Sequence, residues 1–318
     1  MASQVEVMRR AVLLLTILLT ACSEHRGRVR LVLQPPSTNN YPSYFASWLG
    51  FYKEEGVDVE ISQVAGASKI LEAIVAGSAD VGGGVYEQTI QMAAEGKSIV
   101  AFLSLLKSPN FAIIGAPGIL KLTDLRGKTV GVSSVGSPSQ FYLRYLLQKE
   151  GIAPSDLSTA TVGMGTTAMA ALEHGQVDAA VLFGSAIPAY LARKPDAVIL
   201  ADTRTPEGLK AAFQVTDYPA SCLLARREWL DRNPDAAKRM ARAVRRSLAW
   251  IREHTAEEVL ARIPSPGDRA VELAAIRLAQ PMYSVDGRIN KESAESVRAI
   301  IGLKSAKVDI LSTFWNPE

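Results

Sequence analysis

From Val29 to Glu95 the chain alternates short β-rich runs with stretches of helical period. Val29 to Leu33, apolar but for Arg30, reads as a strand. Tyr44 to Glu55 has helical spacing and is stopped by Gly56. In Val57 to Ser62 the apolar Val57, Val59 and Ile61 alternate with Asp58 and Glu60, the period of a half-buried strand. A helix follows with Ile70, Leu71, Ile74 and Val75 on one face, ending at Gly77. Asp80-Val81-Gly82 opens a third short strand, and Tyr86 to Glu95 is another helix. Strands and helices taking turns in this way predict an α/β fold.

The pattern returns about a hundred residues later. Ala171-Leu172 precede Gly175, Asp178 and a strand from Ala179 to Phe183, as Ala73-Ile74 precede Gly77, Asp80 and theirs. The glycine supplies a left-handed helix cap, and the aspartate can accept from amides where the strand begins. A small-residue loop is expected after each unit, Gly82-Gly83-Gly84 and Gly184-Ser185-Ala186. Two such units in 318 residues point to two α/β lobes of similar design.

The amino terminus reads as a processing signal. Met8-Arg9-Arg10 is a basic region and Ala11 to Thr20 an apolar run of ten, half of what a bilayer span needs. Leu19-Thr20-Ala21-Cys22 resembles a bacterial lipobox, in which Cys22 is diacylated and becomes the new terminus. Residues 1–21 are then the signal and 22–28 a polar tether. Processing leaves 33 basic and 31 acidic residues, a near-neutral chain with no electrostatic footprint for nucleic acid. With three histidines, and Cys222 as the only thiol left, neither a metal site, a cofactor nor an intrachain disulfide is expected.

Four segments carry a family resemblance. Leu49-Gly50-Phe51-Tyr52-Lys53-Glu54-Glu55-Gly56-Val57-Asp58-Val59-Glu60, Asp124-Leu125-Arg126-Gly127-Lys128-Thr129-Val130-Gly131-Val132, Gly175-Gln176-Val177-Asp178-Ala179 and Lys307-Val308-Asp309-Ile310 resemble, in order, segments of nitrate/sulfonate/taurine-type substrate-binding proteins. The resemblance implies a two-lobed periplasmic-binding-protein fold, type II or cherry-core, with two crossovers between lobes. Lobe one would be residues 29–115 and 219–318, lobe two 116–218, with hinges at 114–117 and 217–221. It also implies an extracytoplasmic, lipid-anchored monomer that is not an enzyme and hands a small molecule to an ABC permease.

In open α/β sheets, ligands sit beyond the carboxyl ends of strands, where loops enter helices. The candidate ligand residues are accordingly Asn39, Asn40 and Tyr41; Ala67 and Ser68; Gly84 and Tyr86; Ser137, Ser139 and Thr166; and Phe183 and Ser185. Asp217 is added from the expected second crossover. Ser137 followed by Pro138 is an N-cap with proline at N1, a start that suits an anionic oxygen. Sulfonate-binding relatives carry a Gly-Ser-Ser-Ser-type turn where this chain has Gly136-Ser137-Pro138-Ser139, and an Asp-Pro pair where it has Phe183-Gly184-Ser185-Ala186-Ile187-Pro188. The ligand expected is organic, with one anionic or polar end: an alkyl sulfonate, taurine or nitrate-like compound, or alternatively a pyrimidine or other vitamin-precursor ring walled by Tyr41, Tyr86 or Phe183.

Enzyme signatures are thin. Gly163-Met164-Gly165-Thr166-Thr167-Ala168 fits a dinucleotide fingerprint with a very short strand before it, and Ser104-Leu105-Leu106-Lys107 is a bare SxxK. An exported enzyme on the same fold is the competing class, but yeast-type pyrimidine synthases carry a cysteine-rich segment that this chain lacks. Lys238, Arg239, Arg242, Arg245 and Arg246 lie off the apolar face formed by Met240, Val244, Leu248 and Ile251, and read as a solvated face, with contact to a membrane or permease as the other reading. The lipobox generates the first prediction. Mass spectrometry of membrane fractions should find diacylglycerol on Cys22, and Cys22→Ala should release the protein in soluble form; an unmodified Cys22 on the intact chain would refute it.

Overall fold

The structure, a computed structural model, describes residues 27–303 and 307–318. Cys22, the signal segment and most of the tether lie outside the described residues. Two five-stranded mixed sheets, each flanked by helices, form the body of the protein.

In the first sheet the order is β2-β1-β3-β10-β4, from β1 (Val29–Leu33), β2 (Val59–Gln63), β3 (Val81–Val85), β4 (Ile99–Ser104) and β10 (Ser221–Arg226). The second runs β7-β6-β8-β5-β9, from β5 (Phe111–Gly115), β6 (Thr129–Val132), β7 (Ser158–Thr161), β8 (Ala179–Phe183) and β9 (Val198–Asp202). In each sheet one antiparallel strand comes from the far side of a crossing: β10 pairs β3 and β4, and β5 pairs β8 and β9. β4, at the edge of its sheet, and β5, inside the other, are almost wholly apolar and buried throughout, as strands covered on both faces must be.

The repeated glycine–aspartate unit has the role expected of it. Gly77 and Gly175 take φ of 77° and 66°, closing α3 (Ala67–Ala76) and following α6 (Thr166–Glu173). The Asp80 carboxylate accepts from the Arg30 amide at 2.9 Å, and the Asp178 carboxylate from the Thr129 amide at 2.8 Å. In both lobes the aspartate therefore staples the start of one strand to its neighbour.

Several expectations change. The helix expected from Tyr44 to Glu55 is two: α1 (Tyr41–Trp48) and α2 (Phe51–Glu54), broken where Gly50 takes φ of 79°. Gly82, Gly83 and Gly84 are not a loop but the body of β3, where the neighbouring side chains leave no space for a Cβ. Because Phe111–Gly115 belongs to the second sheet, the chain first crosses at 105–110, not at 114–117. The second crossing spans 214–220, between α8 (Pro206–Phe213) and β10. The arginine run on α10 (Pro234–Glu253) is occupied within the chain. Arg242 and Arg246 pair with Glu55 at 2.9 and 3.2 Å, and Arg245 donates to the carbonyls of Asp286 and Pro317. It ties α2 and the carboxyl-terminal segment to the first lobe.

Between the sheets lies a buried carboxyl. Glu87, on α4 (Tyr86–Ala94), is fully buried and accepts from the hydroxyl of Tyr142 on α5 (Pro138–Lys149) and, at 2.7 Å, from that of Tyr218 on the second crossing. Its Oε2 has no partner. Burial pushes the Glu87 carboxyl above the usual carboxylate range, against the pull of the two tyrosine bonds. The Cys222 thiol nearby is pushed up by burial and then by Glu87.

Two predictions follow from this packing. A Cβ on Gly82 would lie 2.5 Å from Ile70 Cγ2 and 2.7 Å from Ile74 Cδ1, so Gly82→Ala should cost about 1–3 kcal/mol in urea unfolding. An unchanged midpoint would show that α3 gives way freely. For Glu87 the folded chain keeps a proton that the unfolded chain releases. Its contribution to stability is therefore complete below the ordinary glutamate pKa of about 4.3 and is lost as pH rises through the higher folded value. Between about pH 5 and about pH 8 the melting temperature of Glu87→Gln should accordingly fall less than that of the unmodified protein. Parallel profiles would mean that Glu87 is ionised in the fold.

Candidate functional site

A cleft of about 910 Å³ opens between the two sheets. Its walls are the loops after β1, β2, β6 and β8, at the carboxyl ends of parallel strands, and its floor includes Leu106, Ser108, Ala220 and Ser221 of the crossings and the start of β10.

Of the residues expected from sequence, Asn39, Asn40, Ala67, Ser68, Gly84, Ser137, Ser139, Phe183 and Ser185 line this cleft. Tyr41, Tyr86, Thr166 and Asp217 do not. Tyr41 is 2% exposed and gives its hydroxyl to Glu272 on α12 (Arg269–Ala279). Tyr86 is fully buried, with its hydroxyl 2.6 Å from that of Thr313. Both sit at the first position of a helix, but their rings turn into the first lobe's core instead of across the cleft. Thr166 is exposed outside the cleft wall, to which its neighbours Met164 and Gly165 contribute. Asp217 faces α13 (Lys291–Ile300) and its N-cap, accepting from Asn290 at 3.4 Å, and burial raises its pKa.

The two adjacent asparagines divide the work. Asn40 is spent on its own turn: its Oδ1 accepts from the Ser37 amide at 2.8 Å, and its Nδ2 donates to the carbonyls of Gln34 and Pro35. Asn39 is held from across the crossing. Its Oδ1 accepts from Asn110 Nδ2 at 2.8 Å, and its carbonyl accepts from Ser221 Oγ at 2.7 Å.

On the opposite wall the turn entering α5 holds a chain of hydroxyls. Ser137 Oγ donates to the Ser134 carbonyl at 2.6 Å and lies 2.7 Å from Ser139 Oγ, which is 2.9 Å from Ser133 Oγ. Ser137 and Ser139 are nearly or fully buried behind Ser133, which is half-exposed on the wall.

Sequence reasoning passed over Ser133, Gln88, Ser221 and Tyr142. Tyr142 is the tyrosine that borders the cleft in place of Tyr41 and Tyr86, although it too is only 2% exposed, its ring stacked on Phe111 with centroids 4.8 Å apart. A signal was there to be read, since Tyr142 lies one helical turn after Pro138 and so on the same face as the helix start. Leu71, Val75, Met92, Val135 and Met164 add apolar surface toward the rim, where Glu72 and Lys97, both exposed, are the charged side chains among the lining residues. Among the described residues no group of three or more His, Cys, Asp or Glu could hold a metal ion. Such a cleft suits a small molecule with a polar end among hydroxyls and carboxamides and a body against Phe183, Tyr142 and the apolar rim.

Comparison with known proteins bears on both fold and family. A protein of Bordetella bronchiseptica RB50 has a similar solved structure, 33% identical, covering 91% of this chain and 94% of its own, with a TM-score of 0.81. The periplasmic aliphatic sulphonate binding protein SsuA of Escherichia coli is 21% identical over 92% of each chain, with a TM-score of 0.69. The fold is that of the periplasmic binding proteins. In sequence, the protein YtlA of Bacillus subtilis is 22% identical over 89% of this chain and 86% of its own. A 4-amino-5-hydroxymethyl-2-methylpyrimidine phosphate synthase of Schizosaccharomyces pombe is 30% identical over 44% of this chain and 40% of its own. The family model for NMT1/THI5-like proteins matches residues 37–258, from the first cleft loop through both crossings and beyond α10. The chain belongs to the NMT1/THI5-like family.

Proposed function

We propose that this protein is the solute-binding component of an ABC importer, acting outside the cytoplasm and held to the membrane through Cys22. It captures a small organic molecule between its two lobes and delivers it to a permease. The observation that carries this reading is the cleft itself: about 910 Å³, walled by loops of both sheets and floored by the only two passages between them in the described chain. A ligand shared by both walls favours the closed arrangement of the lobes, and hinging at 105–110 and 214–220 would shift an existing open–closed equilibrium.

Binding without turnover fits the groups present. A nucleophilic serine needs a base beside it, and the hydroxyls of Ser133, Ser137 and Ser139 bond only to one another and to the backbone. No histidine or cysteine is among the described lining residues. For ligand class, a compound of the alkyl sulfonate, taurine or nitrate type leads, in keeping with the sulphonate-binding structural neighbour. A pyrimidine-like ring is the second reading, favoured by the aromatic walls Phe183 and Tyr142 and by the synthase relative.

A thermal-shift screen over sulfonates, nitrate, pyrimidines and flavins tests the proposal. A ligand at about a hundred times its dissociation constant adds about 2.7 kcal/mol to stability. The expected result is a shift by one class, recovery of that compound chemically unchanged, and a smaller radius of gyration in solution scattering with ligand bound. Conversion of the compound would overturn the binding reading in favour of an enzyme, and an unchanged radius at saturation would overturn the hinge.

A further inference from the structure

We infer that the cleft has a direction: Ser133 on the second lobe presents a hydrogen-bond acceptor and takes an N–H or O–H group of the ligand, while Asn39 on the first lobe presents a donor and takes an acceptor oxygen or ring nitrogen. The inference rests on the solute-binding reading and deepens it.

Counting hydrogens gives the second-lobe end. The Ser134 carbonyl can only accept, and three hydroxyls stand in line from it, Ser137 at 2.6 Å, Ser139 a further 2.7 Å on and Ser133 a further 2.9 Å. Each hydroxyl has one hydrogen. Three contacts and three hydrogens agree in one arrangement only: Ser133 donates to Ser139, Ser139 to Ser137, and Ser137 to the carbonyl. Backbone amides complete it, Ser133 N–H donating to Ser139 Oγ at 2.9 Å and Ser134 N–H to Ser137 Oγ at 3.4 Å. Ser137 and Ser139 are then saturated, with both lone pairs and the hydrogen in use. Ser133 Oγ is the open end of the chain, and lone pairs are what it has left to offer. A sulfonate oxygen or nitrate placed against it would turn its hydrogen outward and strip one of the close oxygen–oxygen contacts of its bond.

The first-lobe end is fixed by Asn110. This residue is 4% exposed, holds a left-handed φ of 54° on the first crossing, and donates through Nδ2 to Asn39 Oδ1 and, at 3.3 Å, to Thr38 Oγ1. With its oxygen taken, Asn39 has its Nδ2 hydrogens left, without a protein partner among the described residues, on the cleft wall. Asn110 is thus a positioning residue for a donor it does not itself supply. A ligand that satisfies both ends carries acceptor atoms at one end and an amino, amide or hydroxyl hydrogen at the other, as an aminoalkyl sulfonate or an aminopyrimidine does.

The test is a library built in pairs, each an acceptor-only compound and its amino counterpart: ethanesulfonate with 2-aminoethanesulfonate, 4-methylpyrimidine with 4-aminopyrimidine, and carboxylates likewise, read by calorimetry. Within pairs that bind, the amino member should bind at least about fivefold tighter, the worth of about one hydrogen bond. Ser133→Ala should erase that preference, and Asn39→Asp should weaken both members alike. Equal binding within pairs, or a preference that survives Ser133→Ala, would overturn the inference. Melting temperatures test the hydroxyl chain without any ligand. Ser137→Ala and Ser139→Ala each remove three bonds of the chain and should lower the melting temperature most, whereas Ser133→Ala removes only the one bond that its half-exposed hydroxyl donates and should lower it least; equal losses at all three would overturn the directional chain. A library silent throughout, with that order of stabilities intact, would count against solute binding and not against the direction of the hydroxyls.

Discussion

Everything about the cleft depends on a reciprocal exchange of strands. Without β10 the first sheet would have a gap between β3 and β4, and without β5 the second would have one between β8 and β9. Each filling strand runs antiparallel to its neighbours because it arrives from the opposite side. The two passages therefore lie side by side and bond to each other: Leu105 N–H to the Ser221 carbonyl at 2.7 Å, Ala220 N–H to Leu106 at 2.9 Å, and Tyr218 N–H to Lys107 at 3.1 Å. The chain thus passes between the lobes as a two-chain ribbon at the base of the cleft, and beside it α12 and α13 also pack against helices of the second lobe.

That ribbon holds several of the polar groups of the site in place. Asn110 and Ser221 belong to the passages or border them, and both hold Asn39; Tyr218 and Tyr142 meet on the same oxygen of Glu87 at this junction. Aromatic packing adds stiffness, with Tyr142 between Phe111 and Phe213 and Phe213 stacked on Tyr218 at 5.6 Å. Groups fixed in this way lose little freedom when a ligand arrives, which is the basis of preorganised recognition.

Legibility in the sequence followed the range of the interaction. β1 was read at its true limits because its β-rich pattern, apolar but for Arg30, is local, and the glycine–aspartate units were read because three residues of spacing carry their whole function. Gly50 divided an expected helix for an equally local reason that was passed over. The loops of the cleft were found because polar residues at strand ends are a local signal too. What a side chain does within such a loop is another matter. Asn39 and Asn40 look alike in sequence, and only Asn110, seventy-one residues away, separates a free donor from one spent on its own turn. Tyr41 and Tyr86 were placed in the cleft on residue type, yet Glu272 and Thr313, more than two hundred residues distant, hold them in the core. The first passage was misplaced because an all-apolar strand such as β5 carries no mark of the sheet it joins.

Strand exchange also sets an order of assembly. The second lobe has all five of its strands in one unbroken stretch, Phe111 to Asp202, so its sheet can close as soon as that stretch is available. The first lobe begins at Val29 but has to wait for β10, nearly two hundred residues later, before β3 and β4 are joined. Contacts of such sequence separation are slow to form because the loop between them must first be closed at an entropic cost. As the chain emerges from its amino terminus, the part made first is therefore finished last. The glycine-rich edge of β3 stays unpaired until then, a stretch of open backbone that a chaperone would have to guard.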